Sequence, residues 1–532
     1  MKKRFCCLVG TCFVLALFAA AWAASAAECE LQSKFRDVER RAFDPSSPEW
    51  LLRVAQPQRV IMNVVTKSVV EDGRPKAVVT VPNEEDNPQL QAFRKVVEKE
   101  PKEYVSERPF RGTVTLGDRE YGFVFDAVDR EASGYGVLFL DRNGNGDLTD
   151  DEVIESDAAR QYRADKALVE KAKAEAAENQ ADRTDEAEKD EVEKKTAEAE
   201  HRKLAQAKQR LAAGARNRFM YVQYPRIDMK IDVDGEKADY AFFLVSYSYG
   251  TRPYAMFTSA VYREGHIELD GKKRHVALVD FNGNGRFDDA GRPGATDMLY
   301  VDPKGNANQM LAYDLVGPSC RHNVGKLVCL DGRYYDLKVS PGGNKISLEP
   351  SSVAVGQVEN QAKNFAALMQ GEQGVVKISG TADQPAVLPV GKWTLVGCVI
   401  DLTEEAKNED SEKKATEETA KSPDGTVVRQ IVRPSMPKYT SVAASASPAV
   451  KPIEVREGET VALPFGPPYH ATVDLGYYQQ TNDSLYLGLT ILGSAGERVT
   501  NMMVNGSRPG KPKFKITDPD GKVVVEGDFE YG

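Results

Sequence analysis

A chain of 532 residues is too long for one ordinary core, so several domains are expected. It carries 70 Lys+Arg against 80 Asp+Glu, a formal net charge of −10. That balance argues against a nucleic-acid partner and against an anionic membrane surface.

The start reads as an export signal. Lys2, Lys3 and Arg4 form a basic n-region, Phe5 to Ala24 is nearly all apolar, and Ala24-Ser25-Ala26 offers a small-x-small cleavage site. A signal peptide over 1–27 is expected, with an uncleaved anchor as the alternative. Cleavage after Ala27 removes three of the 70 basic residues and no acidic one, leaving 67 against 80. No later segment is long and apolar enough to span a membrane. Secretion, to the periplasm, the cell surface or beyond, is the expected localisation. Cys29, Cys320, Cys329 and Cys398 then remain. Cys320 with Cys329 is the most local disulfide, and four reduced thiols are the alternative. None has C-x-x-C spacing, so zinc or redox chemistry has no support there.

Residues 28–155 read as a mixed N-terminal unit. Val60–Val65 and Ala77–Val81 read as strands, and Gln89–Glu98 has helical spacing ended by Pro101. Thr113–Leu116 and Tyr121–Phe125 flank a Gly117-Asp118 turn, and Gly136–Leu140 runs into a polar loop. Residues 156–216 differ in kind. From Asp147 to Ala213 there is neither Gly nor Pro, and 163–211 hold 13 acidic and 12 basic side chains. Asp185/Lys189, Asp190/Lys194, Glu191/Lys195 and Glu198/Arg202 stand acid-before-base at i,i+4, which favours helix. Leu168, Val169, Val192, Leu204 and Leu211 are too few for an apolar stripe, so a solvated helix or loose helical hairpin is expected. A self-associating coiled coil is the alternative.

Residues 217–350 read as a second β unit. Met229–Val233, an Asp234-Gly235 turn, Tyr240–Leu244 and then His275–Val279 running into a loop echo the first unit, an internal repeat. Lys326–Leu330 and Tyr334–Val339 join through Asp331-Gly332. Residues 351–425 read as a small β unit with Val375–Ile378 and Trp393–Ile400, followed by a polar, charged linker. Residues 426–532 have the strand spacing of an immunoglobulin-like sandwich. The expected fold is mainly β: several β-sandwich and β-hairpin domains in series, with a long charged helical insertion.

The most informative feature is a loop present twice. Asp141-Arg-Asn143-Gly-Asn145-Gly146 recurs as Asp280-Phe-Asn282-Gly-Asn284-Gly285. Each copy sets oxygen side chains at alternate positions before a glycine, which presents ligands to a hard cation and then turns sharply. The first copy resembles an EF-hand calcium loop over a dozen residues. Asp141, Asn143 and Asn145 fill positions 1, 3 and 5, with Gly146 at 6. The resemblance implies the Asp147 carbonyl at 7, Thr149 at 9 and bidentate Glu152 at 12. An EF-hand enters its loop from a helix, whereas a strand leads in here. In the second copy Asp280, Asn282 and Asn284 fit, with the Arg286 carbonyl at 7 and Asp288 at 9. Gly291 stands at 12, and Asp289 or Asp297 are the candidates to replace the missing acid. A plain Asn-Gly turn is the competing explanation for either copy.

Catalytic signatures are lacking. No two of His201, His266, His275, His322 and His470 have metal-ligand spacing, and no G-x-S-x-G, Walker A or G-x-G-x-x-G pattern occurs. His266 with Glu268, and His470 with Asp474, are alternate-residue pairs of a kind strands produce by chance. Tyr247, Tyr249, Tyr254, Tyr477 and Tyr478 are candidates to stack on sugars, against ordinary sheet packing. In style the whole chain resembles exported bacterial multidomain proteins. The expected function is a secreted calcium-binding protein with a structural or interaction role toward a surface glycan or protein. The alternative is an extracellular polysaccharide-acting enzyme with structural calcium.

Overall fold

In the computed structural model, residues 26–531 are described except 37–55, 72–73, 180–190, 213–218, 249–251, 293, 304–315, 363, 404–415, 422–426, 433–438 and 476–486. The chain is mainly β, 49% strand and 12% helix, in several antiparallel sheets with three helices. No described helix is long and apolar enough to cross a membrane. The expected signal peptide falls outside the described residues except Ala26 and Ala27, and Ala27 opens the strand Ala27–Glu30.

The β-turn residues act as their chemistry dictates. Asp234 and Gly235 both take positive φ (53° and 81°), as do Asp331 and Gly332 (51° and 78°). This suits the twist of a two-residue hairpin. Gly117 (φ 63°) turns Phe110–Leu116 into Arg119–Asp126. Val137–Leu140 pairs with that second strand, and Ile154–Glu155 pairs back onto Val137–Leu140.

The two N-terminal units are not separate domains. Ala27–Glu30 pairs with Lys345–Leu348, Gln32–Phe35 with Val261–Glu264, and Gln58–Ile61 with Tyr254–Phe257. One apolar core takes Phe110, Phe123 and Phe125 from the first unit and Phe242, Phe257 and Leu278 from the second. The rings of Phe123 and Phe257 lie 5.2 Å apart. A fully buried aromatic contributes about 1.5–3 kcal/mol, so cutting between the units exposes a large part of this core. The repeat is also narrower than expected. Lys272–Val279 pairs with Val261–Leu269 and Met298–Val301, not with Glu236–Tyr247. What the two copies share is the loop, the strand that enters it and the strand that pairs back after it.

The charged insertion forms two helices, Asp157–Asn179 and Glu191–Ala212, which lie against each other. Its foot belongs to the core, contrary to a fully solvated hairpin. Ala159 and Tyr162 are buried there, and the Tyr162 ring meets Phe219 edge-on. Buried Asp165 takes a fork of two bonds from Arg210 (2.9 and 2.6 Å), tying one helix to the other. Farther out, residues such as Glu170, Lys171 and Lys173 are exposed. Of the i,i+4 pairs, those with Asp185 and Asp190 lie outside the described residues.

Beyond residue 350 two sheets face each other across a second core holding Trp393, Ile378, Val358 and Leu463. Ser441–Ser445 joins the same sheet as Gly391–Asp401, so the units expected at 351–425 and 426–532 share a sheet. Much of the charged linker lies outside the described residues. The two cores are pinned together by the buried ammonium of Lys377, which donates to the carbonyls of Val316, Gly317 and Pro318.

None of the four cysteines forms a disulfide. Cys320 precedes Arg321–Asn323 in one sheet, while Cys329 lies within Leu327–Leu330 of another. Nearness along the chain therefore did not become nearness of sulfurs. Burial raises the Cys329 thiol to about 11.

Candidate metal centre

The first loop begins where Val137–Leu140 ends. Asp141 is buried, and its carboxylate accepts the backbone N–H of Asn145 (3.1 Å) and Gly146 (2.9 Å). Asn143 Oδ1 accepts Asn145 N–H (2.9 Å), and Asn145 Oδ1 accepts Asp147 N–H (2.8 Å). Three successive oxygen side chains are thus folded back on one turn. An amide oxygen has two lone pairs, so each Asn keeps one for a cation. Gly146 takes φ 80°, and a Cβ there would meet the Val96 carbonyl at 2.9 Å.

The acid that faces this turn is not Glu152. Glu152 is exposed and makes no hydrogen bond or ion pair among the described residues. Asp150 instead accepts from the amides of Asn143 (3.4 Å) and Asn145 (2.7 Å), and Asp151 accepts Arg142 N–H (2.9 Å). The Thr149 hydroxyl turns onto Asp147 (2.5 Å), whose other oxygen meets Lys99 (2.6 Å). The Lys99 and Thr149 bonds hold the Asp147 carboxyl down to about 2.

The second loop repeats this plan with one backbone bond more. Asp280 accepts the N–H groups of Gly283 (2.7 Å), Asn284 (3.2 Å) and Gly285 (2.8 Å). Asn282 Oδ1 accepts Asn284 N–H (3.1 Å), and Asn284 Oδ1 accepts Arg286 N–H (2.8 Å). Both Asn amides converge on Asp289 Oδ2 (2.8 and 2.6 Å), as their counterparts do on Asp150. Asp297 accepts Phe281 N–H (2.9 Å), the place of Asp151, and also Asp289 N–H (2.9 Å). Asp289 and Asp297, the two candidates to replace the missing twelfth-position acid, both hydrogen-bond within this turn. The Asp288 carboxylate is turned away onto the Arg286 guanidinium, at 3.0 Å to both nitrogens.

No protein-family model matches this chain, and no curated protein or solved structure is detectably similar to it. The chemistry of the loops therefore rests on their own geometry.

The second loop is roofed by the first unit. Gly117 N–H donates to the Asn284 carbonyl (2.6 Å), and Gln58 donates to both Gly283 O (2.7 Å) and Thr115 O (2.8 Å). A Cβ on Gly285 would meet Ile231 at 2.6 Å and Gly117 N at 2.8 Å, so no larger residue fits under that roof. Asp280 and Asp297 are both 0% exposed. Burial raises the Asp280 carboxyl to about 6, against the opposing pull of the Tyr240 hydroxyl (2.6 Å) and the loop N–H groups. Burial, together with the Asp280 charge, raises Asp297 as well. Among the described residues, no Lys or Arg pairs with Asp280, Asp289 or Asp297. The buried Arg263 guanidinium lies in the same core but donates to Gly342 O, Asp239 O and the Ser33 hydroxyl.

Sequence reasoning missed Asp150, Asp151 and Tyr240. The first two stood beside the expected Glu152, and only the fold of the turn decides among adjacent acids. Tyr240 comes from another strand and carries no local signal. Among the described residues no three His, Cys, Asp or Glu side chains form a ready metal cluster. Each loop's oxygen set has to include its asparagines.

Proposed function

We propose that this chain is an exported calcium-binding protein with a structural or interaction role, holding Ca²⁺ in both loops. The supporting observation is the pair of buried carboxylates, Asp280 and Asp297, neither of them in an ion pair among the described residues, with the buried Arg263 acting on Asp280 only at longer range. Uncompensated charge in an apolar interior is costly, and a cation relieves it. The surroundings are all oxygen, which suits a hard ion better than a soft one. In the first loop the ligand oxygens come from Asp141, Asn143, Asn145 and Asp150. In the second they come from Asp280, Asn282, Asn284 and Asp289. The ion would lock the strand entering each loop to the strand that pairs back. An interaction with a surface glycan or protein would then use a scaffold stiffened by calcium.

The enzyme reading is carried less far. Asp280 and Asp297 lie out of reach of a polymer, and an open cleft carrying Glu28, Glu30 and Glu264 is where that reading would be sought. Calorimetric titration of calcium into the metal-free protein tests the proposal. Two binding events are expected, one weakened by Asp150→Asn and the other by Asp289→Asn. The expected affinity for the first loop is in the extracellular range, about 10⁻⁴–10⁻³ M, because few of its ligands are charged. No calcium heat, or heat unchanged in both variants, would refute the reading.

A further inference from the structure

The strand register brings together three side chains that the sequence holds apart. His266 and His275 are directly opposed across Val261–Leu269 and Lys272–Val279, and Glu264 sits two residues before His266 on the same face. Opposed side chains on an antiparallel pair start about 4.5–5.5 Å apart at Cβ. The two imidazole rings lie 5.2 Å apart at an interplanar angle of 26°. We propose that Glu264, His266 and His275 form a second kind of cation site, for a divalent transition ion such as Zn²⁺. It is independent of the calcium loops.

The distances favour this. His275 Nε2 lies 3.4 Å from Glu264 Oε2. That is long for a hydrogen bond. It equals the separation of about 3.3 Å between two ligands of a tetrahedral zinc with bonds of about 2.0–2.1 Å. Lys34 Nζ, 3.4 Å from Glu264 Oε1, engages the other oxygen and leaves Oε2 toward the histidine. Asp302 accepts the His275 backbone N–H (2.9 Å), which fixes that strand position. Between the two ligands on the other strand, a Cβ on Gly265 would meet Leu31 at 2.7 Å, so the backbone there is held against the core.

The three donors do not meet at one point. His266 is the adjustable member. It is exposed, and its ring makes no hydrogen bond among the described residues. Closing the site requires that ring to turn toward Glu264 and His275. Beside it opens a cleft of about 510 Å³ lined by Glu28, Glu30, Gln32, Glu264 and His266. Its acidic rim attracts a cation, and its open side leaves a fourth coordination position for water or a ligand group. Imidazole donors favour zinc, copper or nickel over calcium, so the two kinds of site would not compete.

The test is calorimetric titration of Zn²⁺ with the calcium loops saturated, on wild type, His266→Ala, His275→Ala, Glu264→Gln and His470→Ala. One zinc per chain is expected in wild type and in His470→Ala. Removing either ligand histidine should weaken it by at least the roughly 10- to 100-fold that even an outer partner costs. Glu264→Gln should weaken it less. Thermal melts without metal establish that each variant is folded. With Co²⁺ as the probe, wild type should develop the intense visible absorption of a tetrahedral ion, and His275→Ala should not. Absence of zinc binding in wild type, or zinc binding as tight as wild type in folded His266→Ala or His275→Ala, would overturn the proposal.

Discussion

In the first loop Asn143, Asn145 and Asp150 are exposed, whereas in the second Asn282, Asn284 and Asp289 are half-buried beneath the Gly117-Asp118 turn. The hydrogen bonds within the two turns are nearly the same. The settings are not: the first sits at the rim of one sheet, and the second is clamped between two units and shares Asp280 with Tyr240. The same oxygen pattern therefore serves as a surface turn in one place and as a buried junction in the other. Occupancy of the first should matter mainly to its own rim, and occupancy of the second to the whole core.

The largest difference should come from removing the first aspartate of each loop. Asp280→Ala leaves three backbone N–H groups and the Tyr240 hydroxyl without an acceptor, a loss of about 3–5 kcal/mol. Asp141→Ala leaves two N–H groups and should cost about 1–3 kcal/mol. Denaturant unfolding of both variants without calcium makes the comparison, and equal losses would break it.

Acidity should distinguish the junction next. Asp280 and Asp297 have folded values raised above the ordinary carboxylate value, so the folded state holds these protons more tightly than the unfolded chain. The Asp280 contribution is most favourable below about pH 4 and is lost as pH rises through about 6, and the Asp297 contribution is lost in the same direction. For Asp280 alone the change is on the order of 3 kcal/mol. Metal-free unfolding midpoints followed across that window should fall with rising pH on this account, and saturating calcium should flatten the slope. A slope unaltered by calcium would separate the buried carboxylates from the metal.

Smaller effects sharpen the account of the first loop. Asp150→Asn should weaken calcium there by about tenfold, since it removes a charge facing the turn. Exposed Glu152→Gln should change it by less than about twofold. A larger effect of Glu152→Gln in calorimetry would restore Glu152 as the twelfth-position ligand. Smallest of all, Arg286→Ala removes the ion pair from the second loop to Asp118 (2.8 Å). Both partners are partly exposed, so a loss of about 0.2–1 kcal/mol is expected in thermal melts.

Much of this was legible in the sequence because it is local. Asp234-Gly235 and Asp331-Gly332 encode their hairpins through φ preferences, and alternate apolar residues gave the strands. The doubled Asp-x-Asn-x-Asn-Gly pattern marks its own turn. The long run without Gly or Pro marked the helices. What was missed depends on register and packing. Nothing near Gln32 announces Glu264 as its partner, and nothing near His266 announces His275. Tyr162 and Asp165 look like two more residues of a polar helix until Phe219 and Arg210 arrive beside them. The expected Cys320–Cys329 bridge failed for the same reason: the strands that carry them join different sheets.

The pairing of Ala27–Glu30 with Lys345–Leu348 bears on how the chain reaches this state. A polypeptide made from its N-terminus presents that first strand long before its partner exists. Gln32–Phe35 and Gln58–Ile61 likewise wait for strands beyond residue 250. Contacts so far apart in sequence are slow to form, because a long loop must close before any of them is gained. The main core is thus a late product of synthesis, although the four-stranded sheet within 110–155 has all its strands as soon as that segment emerges. Until that core forms, the first strands stay extensible, their edges unpaired.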